Sequence, residues 1–227
     1  MYFGMHTGLL RSDDGGRLWS KVPSVGGDAM GQVATGNRRI VAGHDVYYES
    51  DDGGRSWREA RPSLPGTDVH AIAMDPRSGA LYAYVVGFGL FRSSDGRAWT
   101  GLGSAAPPTT IALAVARNGS ARLLAAGTHG LASSDDEGRS WRRIEGLGST
   151  SSVAVVAAAP STAFAVALGT LYRSGDAGRS WSSVPGAPRG AFLVAVSADG
   201  AWVYVVTSEK EVWRSEDAGK SWRRADG

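Results

Sequence analysis

The feature that most restricts how this chain can fold is a turn motif, Ser-x-Asp-x-Gly-x-x-Trp, that recurs six times along it. It reads SDDGGRLW ending at Trp19, SDDGGRSW at Trp57, SSDGRAW at Trp99, SDDEGRSW at Trp141, SGDAGRSW at Trp181 and SEDAGKSW at Trp222. Successive tryptophans stand 38, 42, 42, 40 and 41 residues apart. A period near 40 residues is that of a four-stranded propeller blade, and each unit holds four short apolar or alternating runs separated by turn residues. Solenoid helices are excluded because no 3.6-residue periodicity runs through the units. The expected fold is therefore all-β: a six-bladed β-propeller of four-stranded antiparallel blades, forming a single domain over residues 1–227.

The third unit shows how a repeat divides. HAIAMD, ALYAYVVG, GLFRSS and the segment around WTGL read as strands A, B, C and D, separated by Asp75 to Gly79, Gly87 to Gly89 and the box turn. Strand A is small and apolar in each full unit (TIALAVA, VAVVAAA, FLVAVS), as suits strands converging on a crowded axis. Strand B is rich in β-branched and aromatic residues, as a strand covered on both faces requires. The first unit opens directly at strand B (MYFGMHTG) and the last ends within strand D, so 23 strands are expected where six full blades have 24. Either the first blade lacks its inner strand, or the natural chain begins upstream of Met1.

The motif has a mechanical role at the hairpin between strands C and D. Its Asp accepts backbone amides of the tight turn, its Gly takes a positive φ, its Ser hydroxyl closes the turn and its Trp seals the gap to an adjacent strand. Asp14, Asp52, Asp95, Asp136, Asp176 and Asp217 are thus scaffold residues, and the boxes hold nine of the 15 aspartates. Acid or base work needs a cleft, and an outer turn is not one.

Composition bounds the partners. A net charge of +2, with the basic residues spread through the repeats, argues against a nucleic-acid groove. No apolar run approaches the roughly 18 residues that would span a bilayer, and no export signal follows Met1. The absence of cysteine excludes disulfides, thiolate metal sites and cysteine nucleophiles.

These repeats resemble the BNR or Asp-box repeats of sialidases, sortilin-type receptors, oligoxyloglucan-active glycosidases and the photosystem II stability/assembly factor family. The likeness covers the whole chain and is nearest to bacterial BNR-repeat proteins labelled glycosyl hydrolase or sialidase-like, through runs such as HTGLLRSDDGGRLW. Members of these families are mostly exported or lumenal, which implies an extracytoplasmic location, secreted or periplasmic. A sialidase of this kind would carry three arginines around a substrate carboxylate, a tyrosine nucleophile paired with a glutamate, and an Arg-Ile-Pro motif before its first box. This sequence has no Arg-Ile-Pro, and its inner strands offer only Arg117.

Topology sorts the remaining candidates. In an up-and-down blade the A-to-B and C-to-D loops share one face, which the boxes mark, and the B-to-C and D-to-A loops share the other, upper face. Upper-face carboxylates are Asp28, Asp45, Asp68, Glu209 and Glu211, with Asp28 and Asp68 at equivalent positions before strand A. They are the candidates for the two carboxylates of a glycoside hydrolase, roughly 5 to 9.5 Å apart. All four histidines, His6, His44, His70 and His129, fall on the same face. Met30 aligns with His70 (DAMG against DVHA), and period-two alternation sets Asp28 beside Met30 and Asp68 beside His70. Imidazole with carboxylate suits zinc, and imidazole with thioether suits copper. The functional expectation is a non-enzymatic module binding a protein or glycan through this upper face. An exo-acting glycoside hydrolase is one alternative. A metal-binding face in blades 1–3 is the other, where loop topology has His6, His44 and His70 converge on a common point with Asp28, Asp68 or Met30 to complete the shell.

Overall fold

A computed structural model describes residues 1–35 and 37–225. The fold is an all-β propeller of six antiparallel blades, the first three-stranded and the other five four-stranded. The described residues form 23 strands, and the first blade has strands B, C and D only. The chain divides into two compact units, Met1–Pro108 and Thr109–Gly227.

The first unit holds three blades. Blade 1 is β1 (Tyr2–Met5), β2 (Gly8–Arg11) and β3 (Ser20–Lys21); blade 2 is β4 (Asp28–Thr35), β5 (Arg38–His44), β6 (Val46–Ser50) and β7 (Arg58–Glu59). Blade 3 is β8 (Val69–Met74), β9 (Leu81–Val85), β10 (Gly89–Ser93) and β11 (Thr100–Gly103). Leu9, Val25, Ala29, Val41 and Trp57 pack blade 1 on blade 2. Ile40, Ala42, Tyr47, Ile72, Leu81, Val85 and Trp99 pack blade 2 on blade 3. Every residue of β9 is buried, as its unbroken apolar run requires of a strand covered on both faces.

The second unit repeats the plan. Blade 4 is β12 (Thr110–Asn118), β13 (Ser120–Gly127), β14 (Gly130–Ser134) and β15 (Arg142–Arg143). Blade 5 is β16 (Thr150–Val155), β17 (Ala163–Ala167), β18 (Thr170–Ser174) and β19 (Ser182–Ser183). Blade 6 is β20 (Ala191–Val196), β21 (Val203–Thr207), β22 (Val212–Ser215) and β23 (Arg223–Arg224). Leu124, Leu131, Leu147 and Val153 fill the first inter-blade space. Phe164, Leu171, Val194 and Val205 fill the second.

The box turns form the network their residues dictate. In blade 2 the Ser50 hydroxyl donates to Asp52 Oδ1 at 2.8 Å and accepts the Gly54 amide at 2.8 Å, while Asp52 accepts the amides of Arg55 and Ser56. Trp57 Nε1 closes the turn on the Gly54 carbonyl at 3.2 Å. The third box is one residue shorter, and there the Ser93 hydroxyl takes the Gly96 amide three residues on. These donors hold the aspartates below the usual carboxylate range. The serine hydroxyl four residues on is the largest cause at Asp52, Asp136 and Asp217, and a backbone amide is the largest at Asp14 and at Asp95, the latter lowered to about 2. At Asp176 burial pushes the other way, and the Ser180 hydroxyl and amide outweigh it, giving about 2.

The inner strand of each full blade opens with a β-bulge. Val69 pairs with Val85 and Ala71 with Tyr84, leaving His70 as the extra residue. Ile111, Ser151 and Phe192 are the extra residues of β12, β16 and β20. In β4, Ala29 and Met30 together oppose Gly43. A bulge bends its strand and re-aims the side chain it carries. Each bulge sits beside the B-to-C turn of its own blade, at the end away from the box.

Candidate functional site

The site in the first unit is assembled by the turn between β5 and β6. Asp45 takes φ 55° there, a left-handed conformation that Asp tolerates. Its amide donates to the Thr67 carbonyl at 3.1 Å, and the Thr67 hydroxyl donates to its carboxylate. This clamp brings the end of β5 against the start of β8, so that His44 bridges Asp68 through the backbone while pairing with Asp28 inside its own sheet. Gly43 is obligatory beside it. A Cβ at that position would lie 1.7 Å from the Asp28 carbonyl oxygen and 2.8 Å from the Met30 amide nitrogen.

Three side chains meet as a result. His44 Nδ1 lies 2.9 Å from Asp68 Oδ1, and His70 Nε2 lies 3.2 Å from the same oxygen. The two imidazoles meet edge to face, with centroids 4.7 Å apart and planes at 66°. His44, Asp68 and His70 are half-buried, and each offers one ligand atom such that all lie within 4.8 Å of one another. They form a cluster capable of coordinating a metal ion. Asp68 Oδ1 and His70 Nε2 are themselves buried, and no described group completes a hydrogen bond of good geometry to either.

Asp28 stands behind this cluster. Its Oδ2 is 3.9 Å from His44 Nε2 and 2.7 Å from His6 Nδ1. His6, in the turn between β1 and β2, was expected to share a point with His44 and His70. Instead it lies outside the three-residue group, because Asp28 is the carboxylate its turn can reach. Met30 stands exposed at the β4 bulge and is likewise outside the group. The bulge interrupts the alternation that would have kept it in step with Asp28. His129, in the second unit, hydrogen-bonds Thr109 Oγ1 at 3.0 Å. Glu211 accepts from Arg224 at 2.9 Å and from Trp213 Nε1 at 3.0 Å.

The first unit holds one buried charge cluster that motif reasoning missed. Glu49, at the box end of β6, accepts from Arg38 at 2.9 Å, Arg58 at 2.9 Å and Arg97 at 3.1 Å. The repeat itself holds the signal. The residue preceding the box serine is arginine at Arg11, Arg92, Arg173 and Arg214 and serine at Ser133, so Glu49 is a charge reversal at one copy.

Comparison with known proteins agrees with this architecture. The chain is 40% identical over 58 residues to vacuolar protein sorting/targeting protein 10 of Verticillium alfalfae, a match spanning 25% of this chain and 4% of that relative. Among solved structures, YCF48 bound to D1 peptide aligns with 98% of this chain and 77% of its own, at 19% identity and a TM-score of 0.56. The GH74 xyloglucanase of Xanthomonas campestris aligns with 99% of this chain and 39% of its own, at 21% identity and a TM-score of 0.61. Identities this low show a shared fold. The family model described as the DUF6242 beta propeller domain matches residues 19–147 and again 114–226, so nearly every repeat is accounted for, and the chain belongs to that family.

Proposed function

We propose that this chain is a non-enzymatic binding or assembly module that takes a protein partner on the blade ends opposite the boxes. The supporting observation is where large apolar side chains are left exposed. Of the eight such residues among those described, six sit at bulges or in B-to-C turns: Met30, Val86 and Phe88 in the first unit, and Ile111, Leu168 and Phe192 in the second. Exposed apolar side chains scattered singly need no explanation, but their concentration in one class of loop marks an interaction surface on each unit. Four of the six are aliphatic, which favours a polypeptide over a glycan, since sugars stack on aromatic platforms. YCF48, which shares this fold, was solved bound to a peptide. An extracytoplasmic location belongs to the proposal and rests on the resemblance of the repeats to exported families.

The carboxylates argue in the same direction. Asp28 and Asp68 flank the His44 imidazole at 3.9 and 2.9 Å, so a histidine occupies the space that a hydrolase keeps for sugar and water. Panning a displayed random-peptide library tests the reading. Enriched peptides are expected to lose binding to the Phe88→Ser or to the Phe192→Ser protein, each melting like the parent. Failure to enrich any peptide, or hydrolysis of xyloglucan oligosaccharides that Asp28→Asn abolishes, would overturn it.

A further inference from the structure

We infer that His44, Asp68 and His70 form a zinc site at the junction of blades 2 and 3, with Asp28 as the outer carboxylate that orients His44. The inference stands independently of the binding proposal above. Bond lengths of about 2.0–2.1 Å place the ligands of a tetrahedral zinc about 3.3 Å apart. The observed separations of 2.9 and 3.2 Å fall just below that spacing, and all three ligand atoms lie within 4.8 Å of one another, so the set is already gathered near the scale a zinc ion requires. The donor set of two imidazoles and one carboxylate is a borderline nitrogen and oxygen set, which zinc accepts and which calcium and magnesium, preferring oxygen alone, do not.

A second observation points to a ligand. Asp68 Oδ1 and His70 Nε2 are buried polar atoms facing each other without a completed hydrogen bond, an arrangement that costs stability unless something satisfies both. A cation between them does so, and neither atom can do it for the other in the observed geometry. His44 and Asp68 remain 41% and 40% exposed, so the fourth position of the tetrahedron opens to solvent.

The outer shell follows the pattern that metal-bound histidines need. When Nδ1 of His44 binds the metal, Nε2 carries the proton and requires an acceptor, and Asp28 Oδ2 is the carboxylate on that side, 3.9 Å away. His6 holds Asp28 from the far side at 2.7 Å. Asp28 is thus a positioning residue. It touches no metal, and its charge fixes the tautomer of one that does.

The test is calorimetric titration of chelator-treated full chain with zinc chloride at about pH 7.5, where free imidazole is neutral. One ion per chain is expected, with thermal unfolding shifted upward in its presence. The His44→Ala and His70→Ala proteins should lose saturable binding, while His129→Ala should bind as the parent does. Asp28→Asn should bind 10- to 100-fold more weakly, the usual effect of losing an outer carboxylate, and Asp28→Glu should recover part of that loss. Cobalt added to the parent should give the intense visible absorption of a tetrahedral ion, and Asp28→Asn should perturb that spectrum, which a merely structural role for Asp28 would not do. Circular dichroism of each variant separates lost binding from lost fold. Absence of zinc binding by the parent, or binding unchanged when His44 and His70 are both alanine, overturns the site; unchanged affinity and cobalt spectrum in Asp28→Asn overturn the role of Asp28.

Discussion

Replacing Glu49 with glutamine should destabilise the protein far more than removing Arg97, the most exposed of its arginine partners. The Glu49 side chain is 1% exposed and accepts from three guanidiniums at 2.9, 2.9 and 3.1 Å. A hydrogen bond to a charged group is worth about 1.5–3 kcal/mol, so three intact bonds set the upper limit well above any single one. The partners do not lose equally. Arg38, Arg58 and Arg97 are 24%, 50% and 61% exposed, so Arg58 and Arg97 recover water when the carboxylate is neutralised, and their share shrinks accordingly. Glutamine keeps one acceptor oxygen, which serves Arg38, but turns an NH₂ donor toward guanidinium donors. The net cost is about 2–4 kcal/mol, slightly below that of breaking a fully buried pair. Arg97→Ala, by contrast, removes the most exposed partner and should cost at most about 1 kcal/mol. Urea unfolding followed by fluorescence and circular dichroism measures both, as shifts in midpoint at unchanged slope. A Glu49→Gln loss below about 1 kcal/mol, or an Arg97→Ala loss as large as that of Glu49→Gln, would refute the reasoning that burial of the carboxylate decides the energy.

Tyr47→Phe should cost about 0.5–1.5 kcal/mol, since the buried Tyr47 hydroxyl donates to the Gly96 carbonyl at 2.7 Å and phenylalanine removes that bond, leaving the carbonyl with Trp99 Nε1 as its donor; the urea midpoint reports it. Gly43→Ala should lower the melting temperature and weaken zinc binding together, because its Cβ would meet the Asp28 carbonyl at 1.7 Å and push the bulge away from His44. Acid should destabilise the fold through the boxes. The folded-state value of Asp95 is lowered to about 2 against an unfolded value near 3.9, so its contribution is complete above that unfolded value and is lost as pH falls through the folded one. Urea midpoints should therefore drop steadily between about pH 5 and about pH 2, and a flat profile would contradict it.

What the sequence made legible was whatever recurs. Six boxes at one period determine the blade number, the place of the C-to-D hairpin and the side on which His44 and His70 must lie, because each copy repeats the same hydrogen-bond chemistry. A bulge is different. Val69, His70 and Ala71 read as plain alternation, and nothing in their types announces that His70 is unpaired. Period-two reasoning therefore grouped Met30 with the site, and the one-residue shift in β4 leaves it exposed instead. His6 was drawn in by loop class alone, but loop class does not say which carboxylate a side chain will reach. Glu49 went unnoticed for the opposite reason. It breaks a repeated pattern, and a search for recurrence passes over departures from it.

Departure from the repeat is where the chemistry of this chain is concentrated. The box position holds Asp in all six copies, and every copy closes a turn on it, the third with one residue fewer. The bulge position holds Met30, His70, Ile111, Ser151 and Phe192, five residue types at five equivalent points. A bulge costs a blade little, since the ladder resumes one residue later, and it points its extra residue out of the strand. The position is thus free of the packing demands that fix Leu81 or Phe164, and substitutions there need not disturb the blade. A metal ligand can occupy it in one blade and an exposed aromatic in another without either altering the scaffold. The clamp of Asp45 on Thr67 then becomes intelligible as the feature that turns one such position into a site. At that junction the B-to-C turn is drawn in tightly enough for its histidine to meet the bulged histidine of the next inner strand. The zinc site proposed at His70 and the docking surface proposed at Phe192 would in this sense be two uses of one structural device, the scaffold supplying the position and the single substitution supplying the function.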